Sequence, residues 1–223
     1  MRLIMSTPST TSKHLELLEY EITDEPLENR HINKLPVQVR EALDDLYDKA
    51  QHRPKEAIPE LERLVATYPH IPSFYNHLSV AYLHAGDSAK AEELVLETYR
   101  RFPKYLFAKT NRAHNCLQKG EIEKIPGIFN HKFDLKLLYP HRKRFHLSEF
   151  VAFAGVMCRY FDAIGEKDTA ALYYRALKRI APRHPMTKHT KRVLYPPFWV
   201  RILSRWAKRL AEKVDDAEKR NHP

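Results

Sequence analysis

A spacing of 34 residues recurs along this chain and constrains its fold more than any other feature. Gly86 is followed 34 positions later by Gly120, and Ala57 and Pro69 likewise recur as an alanine and a proline. A repeat of this length is typical of a unit of two antiparallel helices that buries its apolar face against the next unit. Only 5 of the 223 residues are glycine, and alternating stretches are rare. The sequence therefore predicts an all-α fold.

The clearest unit spans residues 75–103, with the sequence YNHLSVAYLHAGDSAKAEELVLETYRRFP. Gly86 can adopt the left-handed conformation that ends one helix, and Asp87 can cap the next, so the pair predicts a helical hairpin. Small residues between the two helices would let them approach closely. The pattern positions of the first helix are Tyr75, Leu78, Ser79 and Tyr82, of which Leu78 and Tyr82 are predicted to fill the wedge between neighbouring pairs. Ala91, Val95 and Thr98 are predicted to face inward from the second helix, and Pro103 closes the unit.

These residues resemble the tetratricopeptide repeat. That family has large, small and tyrosine positions on a first helix, a Gly-Asp turn, and small and aromatic positions on a second helix. The resemblance is strongest over residues 73–103 and extends, more weakly, over residues 36–182. It implies antiparallel helix pairs stacked into a right-handed α-solenoid, a superhelix whose concave face binds ligands.

The neighbouring units depart from this pattern. The preceding unit has the polar turn QHRP in place of Gly-Asp, and the following unit meets Pro126 and Gly127, which predicts a shortened second helix. A last unit, LSEFVAFAGVMCRYFDAIGEKDTAALYYRALKRIAP, has its turn at Gly165. Because Gly120 and Gly165 are 45 rather than 34 residues apart, an irregular insertion is expected near residues 126–146.

Four parts are expected along the chain. Residues 1–34 form an acidic, partly disordered N-terminal segment, and residues 35–182 form the repeat domain of about four helix pairs. Residues 183–197 form a basic linker that contains prolines, and residues 198–220 form a basic amphipathic helix. For the N-terminal segment two hypotheses remain open: a frayed tail, or an acidic stretch that docks on a basic groove of the same chain.

The predicted C-terminal helix has an apolar face and an otherwise basic surface. Three roles suit such a helix: a cap on the last repeat, a surface for self-association or a partner, or an interfacial membrane helix. The cap is the favoured role, and the other two are alternatives of equal standing. The residues of the apolar face are Trp199, Leu203, Trp206 and Leu210.

Positive charge is concentrated in the second part of the chain. Residues 1–130 have 17 Lys and Arg against 19 Asp and Glu, whereas residues 131–223 have 21 against 9. This asymmetry suggests an acidic partner, such as nucleic acid, an anionic membrane surface or an acidic protein segment. A basic patch is predicted at Arg142, Lys143 and Arg144, where Phe145 could stack on a base; the alternative is a solvated turn.

The resemblance also implies a ligand surface on the first helix of successive units. Such a surface would mix apolar side chains with polar ones, which suits an extended or helical peptide. The residues at the corresponding positions are Asn76, Val80, Leu83, Phe107, Thr110 and His114.

No pattern of catalytic or metal-binding residues stands out. The 13 histidines and 2 cysteines lack the spacing of metal sites, and no Gly-rich phosphate loop or nucleophile elbow is present. The longest apolar run, FVAFAGVMC, is roughly half the length needed to span a bilayer. Together with the resemblance, which implies an interaction module or scaffold that binds a protein or peptide, these observations lead us to expect a cytoplasmic, non-catalytic protein without cofactor or metal. The alternative is a helical-repeat protein that binds nucleic acid through its basic second half.

Overall fold

The computed structural model describes residues 2–5, 18–27 and 30–199, most of them helical. The helices of the first part are α1 Arg30–Asn33, α2 Val37–Glu41, α3 Leu43–His52, α4 Pro54–Thr67, α5 Pro72–His84, α6 Ser88–Arg101 and α7 Leu106–Lys119. Those of the second part are a 3₁₀ turn Ile122–Lys124, α8 Ile125–Ile128, α9 Leu135–Leu138, α10 Leu147–Ala163, α11 Lys167–Ile180 and α12 Pro185–Leu194. The strands are β1 Arg2–Met5, β2 Leu18–Thr23 and β3 Arg144–His146.

The Gly-Asp hairpin predicted between α5 and α6 is confirmed. Gly86 has a φ of +88°, in the region that favours glycine. The Asp87 carboxylate accepts a hydrogen bond from the backbone N–H of Lys90 at 3.1 Å and so caps α6. Gly120 and Gly165 have φ values of +74° and +86° at the corresponding points. The recurrent glycine therefore marks the same left-handed turn in three units.

Small side chains lie where α5 and α6 approach each other. Ser79 on α5 and Ala91 on α6 are both buried, as the spacing predicted. Neighbouring units are joined by longer side chains: the Tyr82 hydroxyl donates to the Glu62 carboxylate at 2.5 Å, and Arg101 donates to the Pro69 carbonyl at 2.9 Å. Each helix pair thus packs against the pair next to it in the sequence.

The third unit has the shortened second helix that Pro126 and Gly127 predicted. After α7 the chain forms a 3₁₀ turn and the four-residue helix α8 in place of a full helix. As a result, α7 packs directly against α10 of the last unit. The residues between α8 and α10 form loops, α9 and strand β3, in the region where an insertion was expected.

Part of the N-terminal segment is docked on the insertion. Strand β2 pairs antiparallel with β1 and parallel with β3, with Glu21 opposite Arg144 in the second pairing. Tyr20 and Ile22 are buried, and the Tyr20 ring packs edge-on against Phe145 with centroids 5.3 Å apart. Residues 18–23 therefore pack on the rest of the chain through a strand pairing and two buried side chains, and docking of the acidic segment on a basic groove stays a prediction.

The larger core lies in the second half and is rich in aromatic side chains. Phe133 stacks on Tyr160, and Phe161 stacks on Tyr173, with ring centroids 5.5 and 5.7 Å apart. Tyr20 and Ile22 belong to the same cluster of buried residues. The first half has two smaller clusters formed by α3, α4 and α5.

The predicted linker over residues 183–197 is wrong, because most of it forms helix α12. Pro185 occupies the first turn of that helix, where proline needs no N–H partner, and the His184 side chain caps it by accepting from the Met186 N–H at 3.1 Å. A Cβ added at Gly155 of α10 would lie 2.7 Å from Met186 Cγ, so α12 packs closely on α10.

The C-terminal helix predicted over residues 198–220 lies almost entirely outside the described residues. Of its apolar face only Trp199 is described, and its side chain is 63% exposed. Leu203, Trp206 and Leu210 lie outside the described part. Within residues 30–199 no helix combines the length and the apolar character needed to cross a bilayer.

Candidate functional site

A cavity of about 220 Å³ opens where α5, α6 and α7 meet. We call it the repeat groove. Three of the six residues predicted to contact a ligand line it: Val80 and Leu83 from α5, and His114 from α7. Leu83 lines the cavity and is 53% exposed. The groove therefore presents an accessible apolar surface.

The groove also contains amide side chains from one face of α7. Asn111, Asn115 and Gln118 line it at three- and four-residue spacing. The buried amide nitrogen of Asn115 has no hydrogen-bond partner among the residues that the structure describes. A buried donor without a partner is costly, so a carbonyl oxygen that reached this nitrogen would be stabilised by its hydrogen bond.

Asn76 contributes to the groove region through a contact between repeats. Its side-chain oxygen accepts a hydrogen bond from the Asn111 amide at 2.8 Å, which joins α5 to α7. At the rim, Lys119 forms an ion pair with Glu92. The amide contact fixes the relative position of α5 and α7, and the ion pair joins α6 to α7.

His114 is neutral at pH 7 and is held by a second-half residue. Burial, followed by the nearby charges of Arg159 and His189, lowers the pKa of His114 to about 4. Arg159 Nη1 lies 2.8 Å from His114 Nδ1. Because arginine only donates, Nδ1 must accept, and the imidazole proton is therefore on Nε2. This contact connects the repeat groove to α10.

Three of the six predicted residues do not line the groove: Asn76, which contacts Asn111 as described above, Thr110 and Phe107. Thr110 is only 2% exposed, and its hydroxyl donates to the Phe107 carbonyl at 3.2 Å. Phe107 is half-buried, and its ring packs against Tyr105 with centroids 5.6 Å apart. Sequence reasoning missed Asn115, which does line the groove. Asn115 lies one helical turn after Asn111 and next to His114, so the helical spacing from these two residues would have identified it.

The predicted basic patch is largely neutralised within the chain. Arg142 donates two hydrogen bonds to Glu149, at 2.9 and 2.6 Å, and Arg144 forms ion pairs with Glu21 at 3.1 Å and Glu25 at 3.3 Å. Lys143 is exposed. Phe145 is 0% exposed, so the idea that it stacks on a base is wrong: strand β2 covers it.

The titratable groups do not form a recognisable reactive centre. In residues 18–27 and 30–199, no three His, Cys, Asp or Glu side chains lie close enough together to hold a metal ion. Both cysteines are buried free thiols, and burial raises the pKa of Cys158 to about 12. A thiol with that pKa stays protonated at neutral pH and is a poor nucleophile.

Comparison with known proteins agrees with the helical hairpins. Residues 42–105, which contain α3 to α6, match the family described as Tetratricopeptide repeat. This part of the chain consists of tetratricopeptide repeats. Repeats of this family generally mediate protein–protein interactions. No curated protein matches the chain. The matched residues include the α5 and α6 walls of the repeat groove, whereas the α7 wall lies just beyond them.

Proposed function

We propose that this protein is a non-catalytic interaction module that binds a short, extended segment of a partner protein in the repeat groove. The unpartnered amide nitrogen of Asn115, in a cavity beside exposed Leu83, is the observation that carries this proposal. The two groups provide what an extended peptide needs: a donor for a backbone carbonyl and an apolar surface for a side chain.

The polar groups of the groove favour a segment of low charge. His114 is neutral at pH 7, and the rim charges of Glu92 and Lys119 compensate each other. The other polar lining groups include amides and hydroxyls, which hydrogen-bond to peptide groups. A strongly acidic segment would gain little here, in contrast to what the overall positive charge of the chain suggests.

The groove would lie on the concave side of a right-handed superhelix, which we infer for the stacked units. In that arrangement α5 and α7 are first helices of successive units, and the partner segment would run across them. The hydrogen bond between Asn76 and Asn111 supports this by holding the two helices at a fixed distance.

Affinity capture with nuclease-treated lysate tests the proposal. Leu83→Asp places a charge on the exposed groove residue and should abolish capture of the partner that the unchanged protein retains. Leu172→Asp is the matched control, because Leu172 is also an exposed leucine, on α11 away from the groove. A partner lost in both variants or in neither would contradict the groove as the binding site. Recovery that disappears with nuclease would favour the nucleic-acid alternative.

A further inference from the structure

A second cavity, of about 340 Å³, lies where the start of α7 meets the segment between α9 and β3. We call it the cationic cleft. Its apolar walls are Pro103, Leu138, Tyr139 and Pro140. Its basic side chains are Lys104, Lys109, His141 and Arg142. No carboxylate is among its lining residues. It shares no lining residue with the repeat groove, so what it binds is independent of the proposed function.

Lys109 is the most unusual group in the cleft. The residue is only 6% exposed, and its Nζ donates to the Ile128 carbonyl at 2.6 Å. The ring of Tyr99 lies 5.8 Å from the same nitrogen. No ion pair joins Lys109 to a carboxylate in the part of the chain that the structure describes, and burial lowers its pKa. An ammonium has three donors, so one carbonyl leaves this charge largely uncompensated.

Lys104 is the second uncompensated cation. Its side chain is exposed, and no carboxylate pairs with it among the described residues. Its carbonyl accepts a hydrogen bond from the Tyr139 hydroxyl at 2.9 Å, which joins the two sides of the cleft. Arg142 differs from the lysines because Glu149 already binds its guanidinium at two points. The excess charge of the cleft is therefore that of two lysines.

We propose that the cationic cleft binds a phosphate monoester carried on a small apolar or aromatic body. A phosphate monoester has close to two negative charges at neutral pH, which matches the two unpaired lysines. The apolar walls, including the Tyr139 ring, would contact the body of the ligand. The cavity is large enough for such a molecule, because ligand cavities start at about 300 Å³. The ester comes either from a free small molecule or from a phosphorylated side chain.

Calorimetric titration of the full chain with phenyl phosphate tests the proposal. We expect saturable binding that Lys109→Met and Lys104→Gln each weaken about tenfold or more, since each removes one charge-assisted contact. Lys132→Gln is the matched control, because Lys132 is an exposed lysine outside the cleft and its loss should leave the affinity unchanged. If Lys109→Met does not fold, the exposed Lys104 still provides the test.

Related probes separate the two parts of the ligand. Benzoate, with one charge, and inorganic phosphate, with no apolar body, should each bind about tenfold more weakly than phenyl phosphate. A tyrosine-phosphorylated peptide that binds more tightly than phenyl phosphate would identify a protein side chain as the source, and the reverse order would identify a small molecule. No saturable binding of phenyl phosphate, or equal affinities in the unchanged protein and both lysine variants, would overturn the proposal.

Discussion

The repeats of the first half are stabilised mainly by contacts between elements close in the sequence, whereas the core of the second half also depends on contacts between residues far apart in the sequence. In α4 to α7 each helix packs mainly on helices that are close in sequence, and the linking contacts join adjacent repeats. In the second half, Phe145 is buried by Tyr20, a residue 125 positions earlier in the chain. The comparison teaches that one chain can combine a modular array with a core that only a distant segment completes.

The difference has a physical cause in the shortened third unit. A full second helix after α7 would continue the regular stack, but Pro126 and Gly127 leave only α8. The apolar surface that remains on α10 is covered in part by α7, α12 and the strands. Strand β2 contributes Tyr20 and Ile22 to this cover. The N-terminal segment is thus a structural component of the second half.

The largest expected effect is that of truncating a core phenylalanine in either half. Phe145→Ala and Phe74→Ala each remove a fully buried ring, and each should lower the free energy of unfolding by about 3–5 kcal/mol. Denaturation by urea measures both. The halves should differ in which contacts are lost, because only Phe145 touches Tyr20. A cost below about 1 kcal/mol for Phe145→Ala would show that β2 does not complete this core.

Acid is expected to weaken the repeats through a partly buried histidine. Burial lowers the pKa of His77 to about 4, and its Nδ1 has no partner among the described residues. The unfolded chain binds this proton near pH 6.5, so the contribution of His77 is present above that pH and is lost as the pH falls towards 4. The loss should reach about 3 kcal/mol in the free energy of unfolding.

The variant His77→Phe isolates this effect, because phenylalanine keeps an aromatic ring beside Tyr47 but has no proton to bind. Urea unfolding at pH 6.5 and pH 4 should show a smaller decrease in the variant. In the second half, burial raises the pKa of Asp134. The contribution of Asp134 to the free energy of unfolding has the opposite pH dependence, because it is lost as the pH rises through that pKa. Equal pH dependence of both proteins would refute the assignment to His77.

A smaller effect is expected at the glycine turns shared by both halves. Gly86→Ala forces a side chain onto a residue with a φ of +88° and should cost about 1–2 kcal/mol. Gly127→Ala in α8 is the control, because its φ is not positive and a Cβ there meets nothing within 4 Å. Alanine should be neutral there or stabilise by up to about 1 kcal/mol. Thermal unfolding measures both: the midpoint temperature should fall in Gly86→Ala, and it should stay the same or rise in Gly127→Ala.

The smallest expected effect on stability is that of removing surface ion pairs, whether they join residues far apart in the sequence or residues of one helix. Arg144→Gln removes the pairs with Glu21 and Glu25, and Arg63→Gln removes a pair within α4. All these side chains are well exposed, so each change should have only a small effect on the free energy of unfolding. The loss in Arg144→Gln should shrink as salt is added, because salt screens the attraction. A salt-independent loss would indicate a packing role for Arg144.

The regular part of the fold was predictable, and the closing contacts were not. The spacing of Gly86, Gly120 and Gly165 predicted three hairpins, because a left-handed turn leaves a residue-specific signal. Strand β3 has three residues and pairs with a strand more than 120 positions away, so no local pattern reveals it. Pro185 suggested a linker because proline breaks helices as readily as it begins them.

The candidate sites likewise contain some residues that the sequence predicted and others that it did not. Val80, Leu83 and His114 were predictable because they follow repeat positions, and the structure places them in one cavity. Thr110 was misplaced because its hydroxyl is satisfied within its own helix. Lys109 resembles an ordinary surface lysine in the sequence, and only the packing of α8 against α7 buries it. The spacing of residues along the chain does not show which side chains a non-repeating element such as α8 will bury.

Hydrogen exchange of the β2 backbone in the unchanged protein tests the account most directly. The Glu21 N–H donates to the Lys143 carbonyl at 2.9 Å, between two buried side chains, Tyr20 and Ile22. We expect the amides of residues 20–23 to exchange as slowly as those of α10, because they open only when the second core opens. Exchange of these amides at the rate of an unfolded peptide, with α10 still protected, would contradict the claim that the N-terminal strand completes this half of the molecule.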